Sequence, residues 1–250
     1  MCRILLTNRK VKLEWLEQLE RSNGGFGNGV VYLRQNKWII RKPILNEQVT
    51  QLKYRWLCYH TRIPSAGSDG MDMLHPFKTS KGWLVQNGTW MDYQYWKAPL
   101  VLEGLIGLNA SDTATMAAVS FKSHDLMEQL IQTTNSTWVW YDNSVKKIKV
   151  YNGFQWVYLA EKGKFILGAS EVLDGLHDKK WLTAEYLEIS LDGKYFALNE
   201  KVHSDIPYYY NWYDKPICII CEKELTSIEK CEYNNQLEGW VCPNCQKWLK

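Results

Sequence analysis

The chain has 250 residues, enough for one large domain or for a medium domain with a small appendage. Its apolar fraction of 46% and its 13 tryptophans exclude a disordered chain. The net charge of +3, from 30 basic and 27 acidic residues, gives no reason to expect nucleic acid or an anionic membrane as a partner.

The start of the sequence and the placement of the cysteines indicate a compartment. The apolar run Ile4–Leu6 is too short for a secretory signal, and no apolar stretch approaches the ~20 residues of a membrane span. Of the seven cysteines, five lie between Cys218 and Cys245. An odd count with CxxC pairs favours thiols and metal over disulfides, so the sequence predicts a cytoplasmic protein.

The first half of the chain predicts helices mixed with antiparallel strands. Leucines at positions 13, 16 and 19 among charged residues have the spacing of one helix face. Turn residues separate the runs of β-branched and aromatic residues. The predicted elements are a helix over 11–21, a hairpin of strands 30–33 and 38–41 turning at Gln35-Asn36, a short helix over 47–53, and strands over 54–63 and 82–86.

The second half predicts two helices and then a succession of strands. Ser111 is placed to cap a helix through Val119, and Ser123 to cap another through Ile131. Strand blocks alternating with helix blocks predict an α+β protein in which helices cover the sheets. The predicted strands cover 138–140, 147–150, 156–159, 165–167, 187–189 and 195–197.

A change in composition near residue 205 divides the chain. A main domain over 2–205 is followed by an aromatic-rich linker over 206–215 and by a cysteine-rich tail over 216–250. A tail this short lacks an adequate core of its own, so a bound metal would supply much of its folding free energy.

The tail contains two CxxC motifs separated by 20 residues. Each motif can present two sulfurs to one tetrahedral ion, and the intervening residues suit a hairpin. The predicted ligands of a structural Zn²⁺ are Cys218, Cys221, Cys242 and Cys245, and Cys231 is a surplus thiol. Between Lys215 and Lys250 five lysines and five glutamates cancel, and four thiolates around Zn²⁺ leave a charge of about −2. The sequence therefore predicts a ribbon that docks on a protein surface, either a partner or the main domain, rather than on phosphate.

Cys2 has chemistry of its own. Removal of Met1 would place a thiol and an α-amine on one residue, and with reference pKa values of ~8.5 and ~8 the amine can accept the thiol proton near neutral pH. A retained Met1 would block that base. A cysteine at position two is a weak signal by itself, since unrelated proteins share it.

Three further segments accompany Cys2. They are 60–67 with His-Pro-Phe at 75–77, 83–88, and the triplet 111–113. In this order and spacing the four segments resemble the class II glutamine amidotransferases of the N-terminal-nucleophile hydrolase superfamily. The Met-Cys-Arg start and the His-Pro-Phe triplet are more similar to its stand-alone branch. The resemblance covers most of the main domain and implies a four-layer αββα sandwich.

The resemblance implies a set of catalytic residues. Cys2 attacks the side-chain amide of glutamine. Asn87, through its side-chain amide, and Gly88, through its backbone N–H, form the oxyanion hole. Two fixed donors aimed at the developing charge lower the barrier by several kcal/mol. The catalytic site needs no cofactor.

The resemblance also implies how the substrate is held. Arg62 holds the α-carboxylate with its planar two-pronged donor, and Ser65 lines the same pocket. Asp112 pairs with the α-ammonium group. The two ends of the zwitterion are thus gripped by opposite charges while the amide faces Cys2.

Each of these residues also has a structural alternative. Arg62 could be an ion-pair partner, Asp112 an early-helix carboxylate, and Asn87-Gly88 a hairpin turn. Cys58 lies within an apolar strand and is interpreted as a small buried hydrophobe.

Two positions depart from the pattern of the resembled family. Gln86 stands where histidine usually precedes Asn-Gly, and Ala114 stands where glutamate usually follows Ser-Asp-Thr. His60 and His75 are interpreted as structural rather than as the base.

The predicted function is a glutaminase or amidotransferase domain that releases ammonia for an acceptor enzyme on another chain. One alternative keeps the mechanism but takes a γ-glutamyl conjugate as its substrate. A second alternative is a non-catalytic interaction protein that reuses the fold, with the zinc ribbon as its docking module.

Overall fold

The computed structural model describes residues 2–22, 25–64, 67, 70–151, 156–203, 232–234 and 239–241. The chain divides into two compact units, Met1–Ser204 and Asp205–Lys250. None of the helices in the described ranges is both long and apolar enough to cross a membrane.

The described residues of the first unit form two antiparallel sheets and five α-helices. Its helices are α1 (Leu13–Arg21), α2 (Asn46–Thr50), α3 (Tyr93–Leu102), α4 (Asp112–Lys122) and α5 (His124–Thr133). Its strands are β1 (Arg3–Thr7), β2 (Gly27–Arg34), β3 (Lys37–Arg41), β4 (Trp56–Arg62), β5 (Phe77–Lys78), β6 (Gly82–Asn87), β7 (Thr137–Asp142), β8 (Lys147–Tyr151), β9 (Val157–Glu161), β10 (Lys164–Ala169), β11 (Trp181–Thr183), β12 (Tyr186–Ser190), β13 (Tyr195–Leu198) and β14 (Lys201–His203).

The larger sheet has eight strands in the order β14-β11-β9-β10-β1-β4-β2-β3, and the smaller has six in the order β13-β12-β8-β7-β6-β5. The first strand of the chain is thus central in the larger sheet, between β10 and β4. A central strand is held by hydrogen bonds on both edges, so the residue that precedes it starts from a fixed position.

The two sheets face each other across an apolar core. Successive side chains of a strand point to opposite faces, so alternate residues of each strand enter this core. Its members from the larger sheet include Ile4, Leu6, Val31, Trp56 and Cys58, and those from the smaller sheet include Trp83, Val85, Val139, Ile148 and Val150.

Helices cover the outer face of the smaller sheet. Along β6 and β7, Val85 and Val139 face the other sheet, whereas Leu84, Trp138 and Trp140 pack with side chains of α3, α4 and α5. The fully buried aromatic residues make this layer a major contributor to stability, since burying one large apolar side chain is worth about 1.5–3 kcal/mol.

Helix α1 lies on the outer side of the larger sheet. Ile4 of β1 points into the core between the sheets, and Arg3 points to the opposite face, where its Nε donates to Ser22 Oγ at the end of α1 at 3.0 Å. Trp15, Leu16 and Leu19 are the buried residues of α1. Helix, sheet, sheet and helix therefore follow one another through the first unit, and the predicted α+β class with covered sheets is confirmed.

Several local predictions are also confirmed. Gln35 and Asn36 both have positive φ, as a tight hairpin turn between β2 and β3 requires. Ser111 accepts a hydrogen bond from the Ala114 N–H at the start of α4, and Ser123 caps α5 in the same way.

The described part of the second unit is a hairpin of β15 (Glu232–Asn234) and β16 (Gly239–Val241), paired antiparallel. It lies in the sequence between the two CxxC motifs. All four predicted zinc ligands, and Cys231, lie outside the described residues, so the predicted ribbon metal site stays a prediction.

Candidate active site

The register of the larger sheet places Cys2 beside Arg62. Arg3 is opposite Thr61 in the antiparallel pairing of β1 with β4, so continuing the pairing by one residue brings Cys2 level with Arg62. The Cys2 Sγ lies 3.6 Å from the carbonyl oxygen of Ile63, to which it donates. The sheet itself therefore brings together two residues separated by 60 positions in the chain.

The Cys2 thiol is buried and is affected by two opposite charges. Its residue is 6% exposed. Burial raises the pKa of the Cys2 thiol, the Asp112 carboxylate also raises it, and the Arg62 guanidinium lowers it. Because burial dominates, the thiol is protonated at neutral pH and needs a base before it can act as a nucleophile.

Asp112 is fixed at the start of α4 next to the segment that follows β6. One carboxylate oxygen accepts the Trp90 N–H at 2.8 Å, and the other accepts the Thr113 N–H at 2.8 Å. Burial raises the pKa of the Asp112 carboxyl, and these two backbone N–H groups lower it. The carboxylate is thus held on two sides by the backbone, close to the end of β6.

Asn87 and Gly88 stand at the end of β6. Asn87 Nδ2 donates to Ser170 Oγ at 3.2 Å, and the same hydroxyl oxygen accepts the Ile4 N–H at 2.9 Å. Ser170 therefore links the Asn87 amide to the strand that begins after Cys2.

Gly88 adopts a backbone conformation that excludes other residues. Its φ is +123°, and a Cβ built on it would lie 2.6 Å from Ser136 Oγ and 3.0 Å from Ser136 Cβ. Only glycine combines this φ with this close approach. The chain leaves the strand at Gly88 in a direction that a side chain would prevent.

Arg62 is the last residue of β4 and is 3% exposed. Its guanidinium carbon lies 6.0 Å from the centre of the Phe26 ring. A planar guanidinium can bind a carboxylate through two parallel N–H groups, which is the role that the sequence predicts for Arg62.

His60 and His75 form a buried, stacked pair with ring centres 3.9 Å apart. Burial lowers the pKa of His60 to about 3 and the pKa of His75 well below its usual range. His60 Nε2 lies 3.1 Å from the Gln86 carbonyl oxygen, and His75 Nδ1 accepts the Gln86 N–H at 3.3 Å. Rings that stay neutral at physiological pH suit packing better than proton transfer.

The structure therefore brings the five described residues of the predicted catalytic and substrate-binding set to one place. Arg62 and Asp112 each act electrostatically on Cys2. Asn87-Gly88 is linked to Cys2 and Asp112 through hydrogen bonds of neighbouring residues. Ser65, the sixth predicted residue, lies outside the described residues, as does Met1.

Three residues that hold the site together were not predicted from the sequence. Ser170 and Ser136 contact Asn87 and Gly88, and the Trp90 backbone holds Asp112. No sequence signal marks these residues, because each acts through a partner far away in the chain.

The chain matches known proteins in structure. No protein-family profile matches the chain, and no curated protein matches it. Among solved structures, glutamine phosphoribosylpyrophosphate (PRPP) amidotransferase from B. subtilis, complexed with ADP and GMP, superposes with a TM-score of 0.58 at 18% identity. A structure of the allosteric regulatory enzyme of purine biosynthesis superposes with a TM-score of 0.61, also at 18% identity.

The chain shares the fold of the parts of these two structures on which it superposes. Each superposition covers 88% of this chain but only 51% of the solved one, so the chain spans about half the length of either structure. At 18% identity the likeness establishes the fold alone.

Proposed function

We propose that the chain is a class II glutamine amidotransferase domain of the stand-alone type, in which Cys2 hydrolyses the side-chain amide of glutamine. The observation that carries the proposal is a buried cysteine thiol whose pKa is affected by both a buried arginine and a buried aspartate. A free amino acid carries the matching pair of opposite charges. The glutamine amidotransferase among the solved structures of this fold points to the same substrate.

In the proposed mechanism, removal of Met1 frees the α-amine of Cys2. The amine takes the Sγ proton, and the thiolate attacks the amide carbon of glutamine. The tetrahedral intermediate collapses as the leaving nitrogen takes up the proton and departs as ammonia. The γ-glutamyl thioester that remains on Cys2 is hydrolysed by water, which yields glutamate and restores the thiol.

The oxyanion of the intermediate is held by the Asn87 side-chain amide and the Gly88 N–H. A primary amide has two N–H bonds, and the bond from Asn87 to Ser170 uses one of them. In the proposed mechanism the other donates to the oxyanion of the bound substrate. Removing one such donor costs about 2.7–4 kcal/mol of transition-state stabilisation.

The proposed substrate grip uses Arg62 for the α-carboxylate, Asp112 for the α-ammonium and Ser65 beside Arg62. Both charged residues are buried, so their attraction for the substrate is weakly screened by salt. Burial raises the pKa of the Asp112 carboxyl, and the positive charge of a bound ammonium group would favour its charged form.

The test is a glutaminase assay on the full chain combined with a mass measurement of the N-terminus. We expect a chain that begins at Cys2 and releases glutamate from glutamine, and a Cys2→Ala variant without turnover. Cys58→Ala is the matched control, because Cys58 is buried in the core between the sheets. An unchanged rate in Cys2→Ala would refute the proposal.

The same assay separates the alternatives. Faster turnover of a γ-glutamyl amide than of glutamine would favour a γ-glutamyl conjugate as the substrate. A retained Met1 without turnover of either compound would favour a non-catalytic interaction protein.

We propose that the ammonia acceptor belongs to a partner protein. The support is that one solved structure of this fold is an amidotransferase, an enzyme that by its name transfers an amide nitrogen to an acceptor. Co-purification of the full chain with a partner, followed by glutamine-dependent amination of that partner's substrate, would test it; ammonia released equally with and without the partner would speak against it.

We also propose that the tail binds one Zn²⁺ through Cys218, Cys221, Cys242 and Cys245. Four thiols in two CxxC pairs form the donor set that Zn²⁺ prefers in structural sites. Elemental analysis should give one zinc per chain, and Cys242→Ser should lose it. Chelation should unfold the tail and leave glutaminase activity intact if the ribbon only docks a protein; loss of both would refute that division.

A further inference from the structure

Gln86 connects the two parts of the site that hold opposite ends of the substrate. It directly precedes the Asn87-Gly88 pair on β6 and is 1% exposed. Its Nε2 donates to Ser136 Oγ at 3.1 Å, and its Oε1 accepts a hydrogen bond from Thr113 Oγ1. One side chain thus bridges Ser136 and the first turn of α4.

Both partners of Gln86 touch a residue of the proposed site. The Thr113 N–H donates to the Asp112 carboxylate at 2.8 Å. Ser136 lies against Gly88, where an added Cβ would be 2.6 Å from Ser136 Oγ. A shift of either partner therefore moves Asp112 or Gly88.

The backbone of Gln86 is fixed by the two histidines. Its carbonyl can only accept, so His60 Nε2 carries the proton in their 3.1 Å hydrogen bond. Its N–H donates to His75 Nδ1 at 3.3 Å. Both rings stay neutral at physiological pH, since burial lowers the pKa of His60 to about 3 and that of His75 well below its usual range. Gln86 is thus held by four hydrogen bonds in a buried position.

We propose that Gln86 is the positioning residue that sets the separation between Asp112 and the Asn87-Gly88 turn. Glutamine has a fixed side-chain length. When Asp112 binds its α-ammonium, the amide reaches the oxyanion hole only if that separation is correct. A misplacement of about 1 Å is enough to cost on the order of 10²-fold in rate. This inference rests on the proposed function and adds a residue that makes no contact with the reacting atoms.

The test compares glutamine with glutaramate, which has the same chain and amide but lacks the α-amino group. Glutaramate gains nothing from Asp112. We therefore expect Gln86→Met to lower kcat/KM for glutamine by about tenfold and to leave kcat/KM for glutaramate within about twofold of wild type. In an Asp112→Asn background, Gln86→Met should have little further effect on glutamine.

A second, more conservative pair of variants tests the same link if Gln86→Met fails to fold. Thr113→Val preserves the side-chain shape and removes the hydroxyl that bonds Gln86, a hydroxyl that also lies 3.4 Å from Asp112 Oδ1. Thr115→Val is its matched control, because Thr115 is equally buried on the same helix and its hydroxyl bonds only the Ser111 carbonyl in the hydrogen bonds described. Thr113→Val should lower the glutamine-to-glutaramate ratio of kcat/KM, and Thr115→Val should not.

Three outcomes overturn the inference. An equal loss on both substrates would assign Gln86 to the general integrity of the fold. Equal ratios in Thr113→Val and Thr115→Val would remove the proposed link to Asp112. A wild-type chain that begins at Cys2 and turns over no amide would refute the proposed function itself, and the inference with it.

Discussion

Gly88→Ala should destabilise the protein more than any change in conformational preference alone explains. An L-residue at positive φ costs about 1–2 kcal/mol. At Gly88 the new Cβ also meets Ser136 Oγ at 2.6 Å and Ser136 Cβ at 3.0 Å, and overpacking of this kind costs about 1–3 kcal/mol. We therefore expect a loss of about 2–5 kcal/mol in the free energy of unfolding.

Gly104→Ala is the matched control. Gly104 also has a positive φ, +72°, but an added Cβ there has nothing within 4 Å. It should show only the conformational cost of about 1–2 kcal/mol. In urea denaturation of both variants, an equal cost would refute the close packing of Gly88 on Ser136.

A second-site variant isolates the steric part of the cost. Ser136→Gly removes the two atoms that lie closest to the new Cβ, so Gly88→Ala should cost less in that background than in wild type. Strictly additive effects would contradict a direct contact. In the glutaminase assay, Gly88→Ala should lower kcat by about 10²–10³-fold because it displaces an oxyanion donor.

Three further predictions concern the surrounding residues. Arg62→Lys should raise KM for glutamine about tenfold with little change in kcat, because the lysine loses the two-pronged contact with the carboxylate; an unchanged KM would contradict the role. Ser170→Ala should lower kcat about tenfold with KM little changed, because the Asn87 amide loses the hydroxyl that orients it. An unchanged kcat in steady-state kinetics would show that Ser170 serves only stability. The pKa of His60 is about 3 in the fold against 6.5 when unfolded, so the neutral ring contributes stability above pH 6.5 that is lost as the pH falls towards 3. His60→Gln should therefore reduce the slope of unfolding free energy against pH by about 1.4 kcal/mol per unit between pH 6 and 4, measured by urea denaturation; an unchanged slope would refute it.

Elements with a clear period or a clear turn could be predicted from the sequence. The leucine spacing of α1, the Gln35-Asn36 turn and the serine caps of α4 and α5 depend on neighbours within a few residues. Such local signals survive in a single sequence because they do not depend on tertiary contacts.

Two elements next to the site were not predicted. β1 is buried on both faces, so its short apolar run lacks the alternation that identifies a strand. α3 is rich in aromatic residues and contains Pro99, which argues against a helix in isolation. Packing against the smaller sheet, through Tyr93 and Leu100, is what stabilises α3.

The site residues could be predicted from the order of the motifs in the sequence. Their arrangement in space depends on the pairing of strands, which the motifs do not reveal. The pairing of β1 with β4 joins Cys2 to Arg62, and the hydrogen bond from Trp90 joins Asp112 to the end of β6. Gln86 illustrates the limit of motifs, since it departs from the expected histidine. Its hydrogen bonds reach residues 27 and 50 positions away.

A covalent intermediate on Cys2 is the most direct test of the proposed chemistry. The full chain would be mixed with glutamine, quenched in acid and digested, and the N-terminal peptide analysed by mass spectrometry. We predict a peptide that begins at Cys2 and carries a γ-glutamyl group on its sulfur, absent from Cys2→Ala. Glutamine turnover by a chain that retains Met1, or a γ-glutamyl group on any other residue, would contradict the assignment of Cys2 as an N-terminal nucleophile.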